Sequence, residues 1–217
     1  MLSKHQIAVL IPVHNEEKNI IQVINDFRKF GKIFIVDDKS NDNTNNYCRK
    51  KKVKIIKNRL KIGYDRSLRK GIQYIINNER KIKLIVTADG DGQHIAKYIK
   101  KFLKLPSNYD CIIGSRNYFN RYSEYLINFI SLIFFNIKDP ISGMKCYNLN
   151  KIKYKKFIFR SKNDYCGMFF FKIFNKKNIF NVDIRVKKQN KPSSFGSGLI
   201  SNISICKALR SILGEKP

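Results

Sequence analysis

The residues best suited to chemistry fall in three short clusters. Asp89-Gly90-Asp91-Gly92-Gln93-His94 places two carboxylates one residue apart. On a short loop such a pair suits a hard divalent cation, Mg²⁺ or Mn²⁺, with a bound diphosphate filling the remaining positions. Asp89-Gly90 and Asp91-Gly92 would also make ordinary turns. The other clusters are Asp37-Asp38 and Pro12-Val13-His14-Asn15-Glu16. Asp38 and Asn41 are themselves good turn formers. Each cluster follows an apolar run, and open α/β sheets bind ligands at the carboxyl ends of their strands. Three such clusters on one sheet edge favour a ligand site over three unrelated turns.

The elements that must position these residues alternate. Short apolar runs at 7–12, 33–36, 53–56, 84–87 and 111–114 read as buried strands. Helical spacing of apolar residues covers 16–30, 67–78 and 95–105, and a short helix to about residue 50 follows the turn at 41–44. Strands alternating with helices predict an α/β fold, a mostly parallel sheet flanked by helices. After Arg116 the alternation stops. Residues 121–135 and 165–174 read as helices, 182–186 as a strand with a basic tail, and 199–213 as a basic amphipathic helix. No repeat or linker interrupts the chain. It reads as one domain over 1–217, with halves at 1–116 and 117–198 and a C-terminal helix in 199–217.

Composition bounds the rest. The chain has 217 residues and 25.5 kDa, is 43% hydrophobic, and carries 44 Lys and Arg against 16 Asp and Glu. A chain of this size buries roughly 70% of its unfolded surface and needs no disulfide framework. The five cysteines are dispersed, with no CxxC or Cys/His cluster. No stretch reaches the ~20 apolar residues of a membrane span, and the first apolar run is too short for a signal peptide. A reducing cytoplasm is the simplest setting. The formal charge of +28 is Lys-rich, 33 Lys to 11 Arg. It fits a solvated surface, or attraction to nucleic acid, acidic lipid or a phosphorylated substrate.

The motifs in order resemble glycosyltransferase family 2, which has the Rossmann-like GT-A fold. IPVHNEEKNI is similar to the family's first strand and P-x-(Y/H)-N-E segment, and IVDDKSNDNT to its V-D-D-x-S-x-D-x-T. IGYDRSLRKGI resembles G-x-G-x-(A/S)-x-x-x-G, with Asp65 at the second Gly. TADGDGQH resembles the D-x-D-G-Q-H metal loop and IIGSR the strand that follows. In the second half, DPISGMKCY and KKQNKPSSFG are similar to segments of polyprenyl-phosphate and dolichyl-phosphate sugar transferases, with Lys replacing Arg in the latter.

That resemblance implies roles. Pro12, His14, Glu16, Asp38 and Asp89 line the nucleotide-sugar pocket. Asp89, Asp91 and Gln93 hold the metal. Asp91, Arg116 and Asp139 are catalytic, and Arg121, Lys188 and Ser194 hold the acceptor phosphate. A departing nucleoside diphosphate leaves charge on its β-phosphate, which a metal and cations neutralise. A hydroxyl acceptor needs a base, for which Asp139 is the candidate; a lipid phosphate is already an anion and needs none.

The expected protein is a metal-dependent inverting transferase. It moves a sugar from a nucleoside-diphosphate sugar to a polyprenyl phosphate, peripheral on the cytoplasmic face of a membrane, in cell-envelope synthesis. The helices at 121–135 and 199–210 are candidates for the membrane interface or for ordinary core packing. Relatives that carry spans imply a membrane-anchoring partner subunit. The rival within the fold uses a glycan or lipopolysaccharide hydroxyl. The distant rival is a non-catalytic anion- or nucleic-acid-binding protein, for which no nucleic-acid motif is present.

Overall fold

The structure is a computed structural model, and it describes residues 2–105, 108–119, 122–152 and 176–187. The helices expected at 165–174 and 199–213 lie outside them. Seven strands form one sheet: β1 (Ile7–Val13), β2 (Lys32–Asp37), β3 (Lys54–Lys57), β4 (Leu84–Thr87), β5 (Cys111–Arg116), β6 (Lys145–Asn148) and β7 (Ile179–Ile184). Their order is β3-β2-β1-β4-β6-β5-β7. All pairings are parallel except those of β6, which runs antiparallel between β4 and β5.

Alternation along the strands sends side chains to two layers. Ile7, Val9, Ile11, Ile33 and Ile35 meet α1 (Ile20–Phe27), α2 (Thr44–Lys50) and α4 (Ile99–Leu103). Ala8, Leu10, Phe34 and Val36 meet α3 (Tyr64–Asn78) and α5 (Tyr122–Phe135) on the other face. A last short helix, α6, covers Leu149–Ile152. Side chains such as Phe27, Phe34, Phe102 and Ile72 are fully buried, each worth roughly 1.5–3 kcal/mol over exposure.

β1 lies between β2 and β4, so the loops after these three strands sit side by side. Pro12 stands near the end of this central strand. Leu10 O accepts from Ala88 N on the β4 side, and Val13 O accepts from Asp38 N on the β2 side. Pro12 shares Leu10's side, beyond the last β4 partner, so its missing N–H breaks no ladder bond.

Two expectations need correction. β6 has no apolar run to announce it, and Lys145–Asn148 is nevertheless buried throughout. The helix expected at 95–105 is a 3₁₀ turn (Ala96–Tyr98) leading into five α-helical residues.

Candidate active site

The β1 and β2 loops are laced together. The Asn15 N–H donates to Ser40 Oγ (3.0 Å), Asn41 N–H to Asn15 Oδ1 (2.8 Å), and Glu16 N–H to Thr44 Oγ1 (2.8 Å). His14 Nδ1 lies 2.9 Å from the Asp38 carbonyl oxygen, which places the proton on Nδ1. Asp37 turns the chain into α2, accepting from Ser40 N–H (3.0 Å) and the Asn45 amide.

Asp38 is buried and acts on the loop after β3. Its Oδ1 accepts from Asn58 Nδ2 (2.9 Å) and Ile62 N–H (2.8 Å), and its Oδ2 from Gly63 N–H (2.8 Å). Burial alone would raise its pKa. The N–H groups of Ile62 and Gly63 and the Asn58 and Ser67 side chains outweigh burial and hold it below the ordinary carboxylate value.

The loop after β4 presses against the end of β1. A Cβ on Gly90 would stand 2.8 Å from Val13 Cγ1 and 3.4 Å from Pro12 O, so this closeness requires glycine. Asp91 Oδ1 accepts from Gln93 N–H (3.0 Å). Its pKa is pushed up to about 7, first by burial, then by the Asp89 and Glu16 charges, against the Gln93 N–H. Asp89 Oδ1 is buried with no hydrogen-bond partner. Repelling acids with one orphaned oxygen fit a divalent cation, which would reverse both penalties. Among the described residues no three His, Cys, Asp or Glu side chains converge as a ligand set. Two carboxylates would supply part of such a cation's oxygen ligands, with a diphosphate completing the sphere.

His94 is a support. Its Nδ1 accepts from the Asp89 N–H (3.0 Å), so the 3.7 Å approach to Asp89 Oδ2 is not an ion pair. Burial lowers its pKa; the Asp89 charge acts against that, and Arg116 adds to it. Gln93 Nε2 donates to Lys187 O (3.2 Å), and Lys187 N–H donates to Gln93 O (3.0 Å). These bonds hold Lys187 beside the loop after β4. Lys188 and Ser194, like Arg121, lie outside the described residues.

The 139–145 segment lies against the same loop. A side chain at Gly143 would collide with both carboxylate oxygens of Asp89. Ser142 Oγ donates to Gly114 O (2.6 Å), and Thr87 Oγ1 to Gly143 O (2.7 Å). Asp139, fully buried, grips Arg116 from two sides. Asp139 Oδ2 accepts from Arg116 Nε (2.7 Å) and N–H (2.9 Å), and Oδ1 accepts from Nη2 (2.8 Å). Its backbone sits at φ +48°, with its N–H on Asn128 Oδ1 (2.7 Å). A non-glycine residue there is strained, and this bonding holds it in place. Arg116 also lies 3.8 Å from Glu124 and over the Phe119 ring. Burial would lower its pKa, but Asp139 and Glu124 more than reverse this.

Sequence reasoning missed several residues here. Glu124 is the only charged residue of α5, a signal that was available. Lys145 is buried and donates to Ser142 O; burial lowers its pKa, and the charges of Asp139, Asp65 and Asp89 act against that. It stood unremarked inside DPISGMK. The Tyr64 hydroxyl, buried beside Asp89, has no properly formed hydrogen bond, and burial and then the Asp89 charge raise its pKa.

A mixed sheet between helical layers, with acidic loops at the carboxyl ends of β1, β2 and β4, defines a GT-A glycosyltransferase. The chain belongs to glycosyl transferase family 2, whose profile matches residues 8–178. Two uncharacterised proteins of Methanocaldococcus jannaschii are similar in sequence. One is 31% identical over 70% of this chain and 68% of its own length. The other is 36% identical over 50% of this chain, which spans about half of that relative (51%). Among solved structures, glucosyl-3-phosphoglycerate synthase from Mycobacterium tuberculosis shares the fold. Its complex with Mn²⁺, UDP-glucose and phosphoglyceric acid has TM-score 0.72 and 14% identity, covering 95% of this chain and 79% of that one. The complex with Mn²⁺, UDP-glucose and glycerol 3-phosphate has TM-score 0.73 and 15% identity, covering 96% and 80%.

Proposed function

We propose that the enzyme transfers a sugar from a nucleoside-diphosphate sugar to a polyprenyl phosphate at the cytoplasmic face of a membrane, inverting the anomeric centre by direct displacement. The observation that carries this reading is the grip of Asp139 on Arg116. Both oxygens of Asp139 accept from Arg116, Oδ1 from the guanidinium and Oδ2 from the guanidinium and the Arg116 backbone N–H. A carboxylate so held anchors an arginine and is poorly placed to take a proton. A phosphate acceptor needs no proton acceptor, whereas a hydroxyl acceptor does. The likeness of DPISGMKCY and KKQNKPSSFG to polyprenyl-phosphate sugar transferases points the same way.

Pro12, His14, Glu16 and Asp38 shape the nucleotide pocket, with Asp38 ordering the 58–63 loop that borders it. Asp89 and Asp91, with Gln93 beside them, hold Mg²⁺ or Mn²⁺. When bound, the metal neutralises the diphosphate as its bond to the sugar breaks. Arg116, fixed by Asp139, supports the charge on that side of the site. Arg121, Lys188 and Ser194 complete the acceptor's phosphate contacts.

The second reading is transfer to a hydroxyl of a phosphorylated or glycan acceptor. The fold neighbours favour it, having been solved with phosphoglyceric acid and glycerol 3-phosphate. One experiment separates the two. Purified protein is incubated with Mn²⁺ or Mg²⁺, undecaprenyl phosphate in detergent and a panel of nucleotide sugars, and products are read by mass spectrometry. The proposal expects a glycosyl-phosphate lipid that disappears with EDTA. A glycosylated phosphoglycerate or glycan instead moves the acceptor to a hydroxyl.

A further inference from the structure

α5 wears its polarity the wrong way round for a core helix. Its inward side carries Ser123, Glu124, Ile127 and Ser131, all buried. Its outward arc shows Tyr122, Tyr125, Leu126, Phe129, Leu132, Ile133 and Phe134, with Phe129 62% and Ile133 60% exposed. In a chain with 28% charged residues, that arc carries no charge. Fourteen residues extend about 21 Å, short of the ~30 Å hydrocarbon core, and no described helix can cross a membrane. Meanwhile the inward polar groups build the site. Glu124 approaches Arg116 at 3.8 Å, and Asn128 receives the Asp139 N–H at 2.7 Å.

We propose that the outward arc of α5 docks into the headgroup–acyl boundary of an anionic bilayer and sets the height of Arg116 above it. Interfacial helices bury their apolar face about 5–10 Å into that boundary. A helix is about 10–12 Å across with its side chains. With the arc submerged, the inward side and Arg116 stand at the level of the lipid phosphates. Charge selects the occupant. A chain of net charge +28 is drawn to anionic headgroups, and the same net charge opposes the approach of two copies. This inference rests on the reading that the acceptor is a lipid phosphate, and it names the element that brings the lipid to the site.

The chain has no tryptophan, which gives a clean probe. Phe129→Trp in the full chain is mixed with vesicles of phosphatidylcholine, with or without phosphatidylglycerol. The expected result is a blue-shifted emission and quenching by brominated acyl chains, with the anionic vesicles. Ile21→Trp, on α1 in the opposite layer, shows neither. An emission that vesicles leave unchanged overturns the proposal. If the emission is already blue-shifted without lipid, a second copy covers the arc when the shift depends on concentration, and the chain's own C-terminal segment covers it when it does not; both overturn it.

Phe129→Ser with Ile133→Ser should lower co-sedimentation with anionic vesicles at least about tenfold, with Mn²⁺-dependent donor binding kept within about twofold because neither residue touches the donor loops. Unchanged co-sedimentation overturns the proposal. Insertion without any glycosyl-phosphate lipid formed would retire the acceptor reading and leave the docking surface standing. Transfer to a detergent-dispersed lipid, with α5 outside vesicles, would do the reverse.

Discussion

Asp38 and Asp139 are both buried acids at the carboxyl edge of the sheet, and they are neutralised by opposite means. Asp38 is wrapped by neutral donors: the Asn58 amide and the N–H groups of Ile62 and Gly63. Asp139 is matched by a full positive charge on Arg116. Donors from a loop turn a carboxylate into a scaffold for that loop, and the carboxylate's negative charge stays in place at the end of β2. An arginine turns it into half of a neutral pair, and the useful product is a fixed guanidinium. The end of β2 therefore uses its acid to shape backbone, and the end of β5 uses its acid to fix a cation.

The largest expected effect follows from breaking the charged pair. Asp139→Ala leaves a largely buried guanidinium with only Glu124, 3.8 Å away, to offset its charge and should destabilise the protein by about 3 kcal/mol. Urea unfolding measures it. Arg116→Met with Asp139→Asn should recover part of that loss: it removes both charges together and keeps an acceptor for the residue-116 N–H, but it takes away the cation 3.8 Å from buried Glu124. Transferase activity should remain lost in the double variant. A stable double variant with full activity would show that Arg116 is not used in the reaction.

Breaking the neutral wrap should cost less. Asp38→Ala orphans two backbone N–H groups on a loop that water can reach, worth about 1–3 kcal/mol. The signature is local: amide exchange at Ile62 and Gly63 should accelerate well beyond the change at strand β1. Uniform acceleration across the sheet would mean that Asp38 stabilises the whole fold instead of one loop.

The same residue predicts a pH dependence. Its folded pKa is lowered, so its contribution is fully present above the unfolded carboxylate pKa and is lost as pH falls through the folded one. The stability difference between the native protein and Asp38→Asn should therefore hold from neutral pH down to about pH 4 and shrink below it. A difference that grew on acidification would reverse the sign assigned here.

The first 116 residues were legible for a physical reason. Strands buried on both faces read as apolar runs, and the polar loops follow them directly, so 84–87 matches β4 residue for residue. β6 was not legible, because Lys145–Asn148 is a strand only by virtue of β4 and β5 on either side. Its burial is a tertiary fact. Periodicity revealed the apolar arc of α5 but not which way it faces. Glu124 and Asn128 turn inward because Arg116 and Asp139 wait there, contacts between residues 8 to 11 positions apart in sequence.

The smallest predicted effect tests the contact between α3 and the loop after β4. The Tyr64 hydroxyl lies buried against Asp89 without a properly formed hydrogen bond, on the first residue of α3. Removing an unsatisfied buried polar atom carries little penalty. Tyr64→Phe should therefore leave stability within about 1 kcal/mol of the native value, or raise it slightly. Calorimetric titration of donor with Mn²⁺ supplies the second reading. If the hydroxyl bonds to Asp89 only once metal draws that carboxylate into place, donor affinity should fall by a few fold while unfolding is unchanged. A loss of stability without loss of affinity would assign Tyr64 to the framework of α3, and the orphaned oxygen of Asp89 would then be matched by the metal alone.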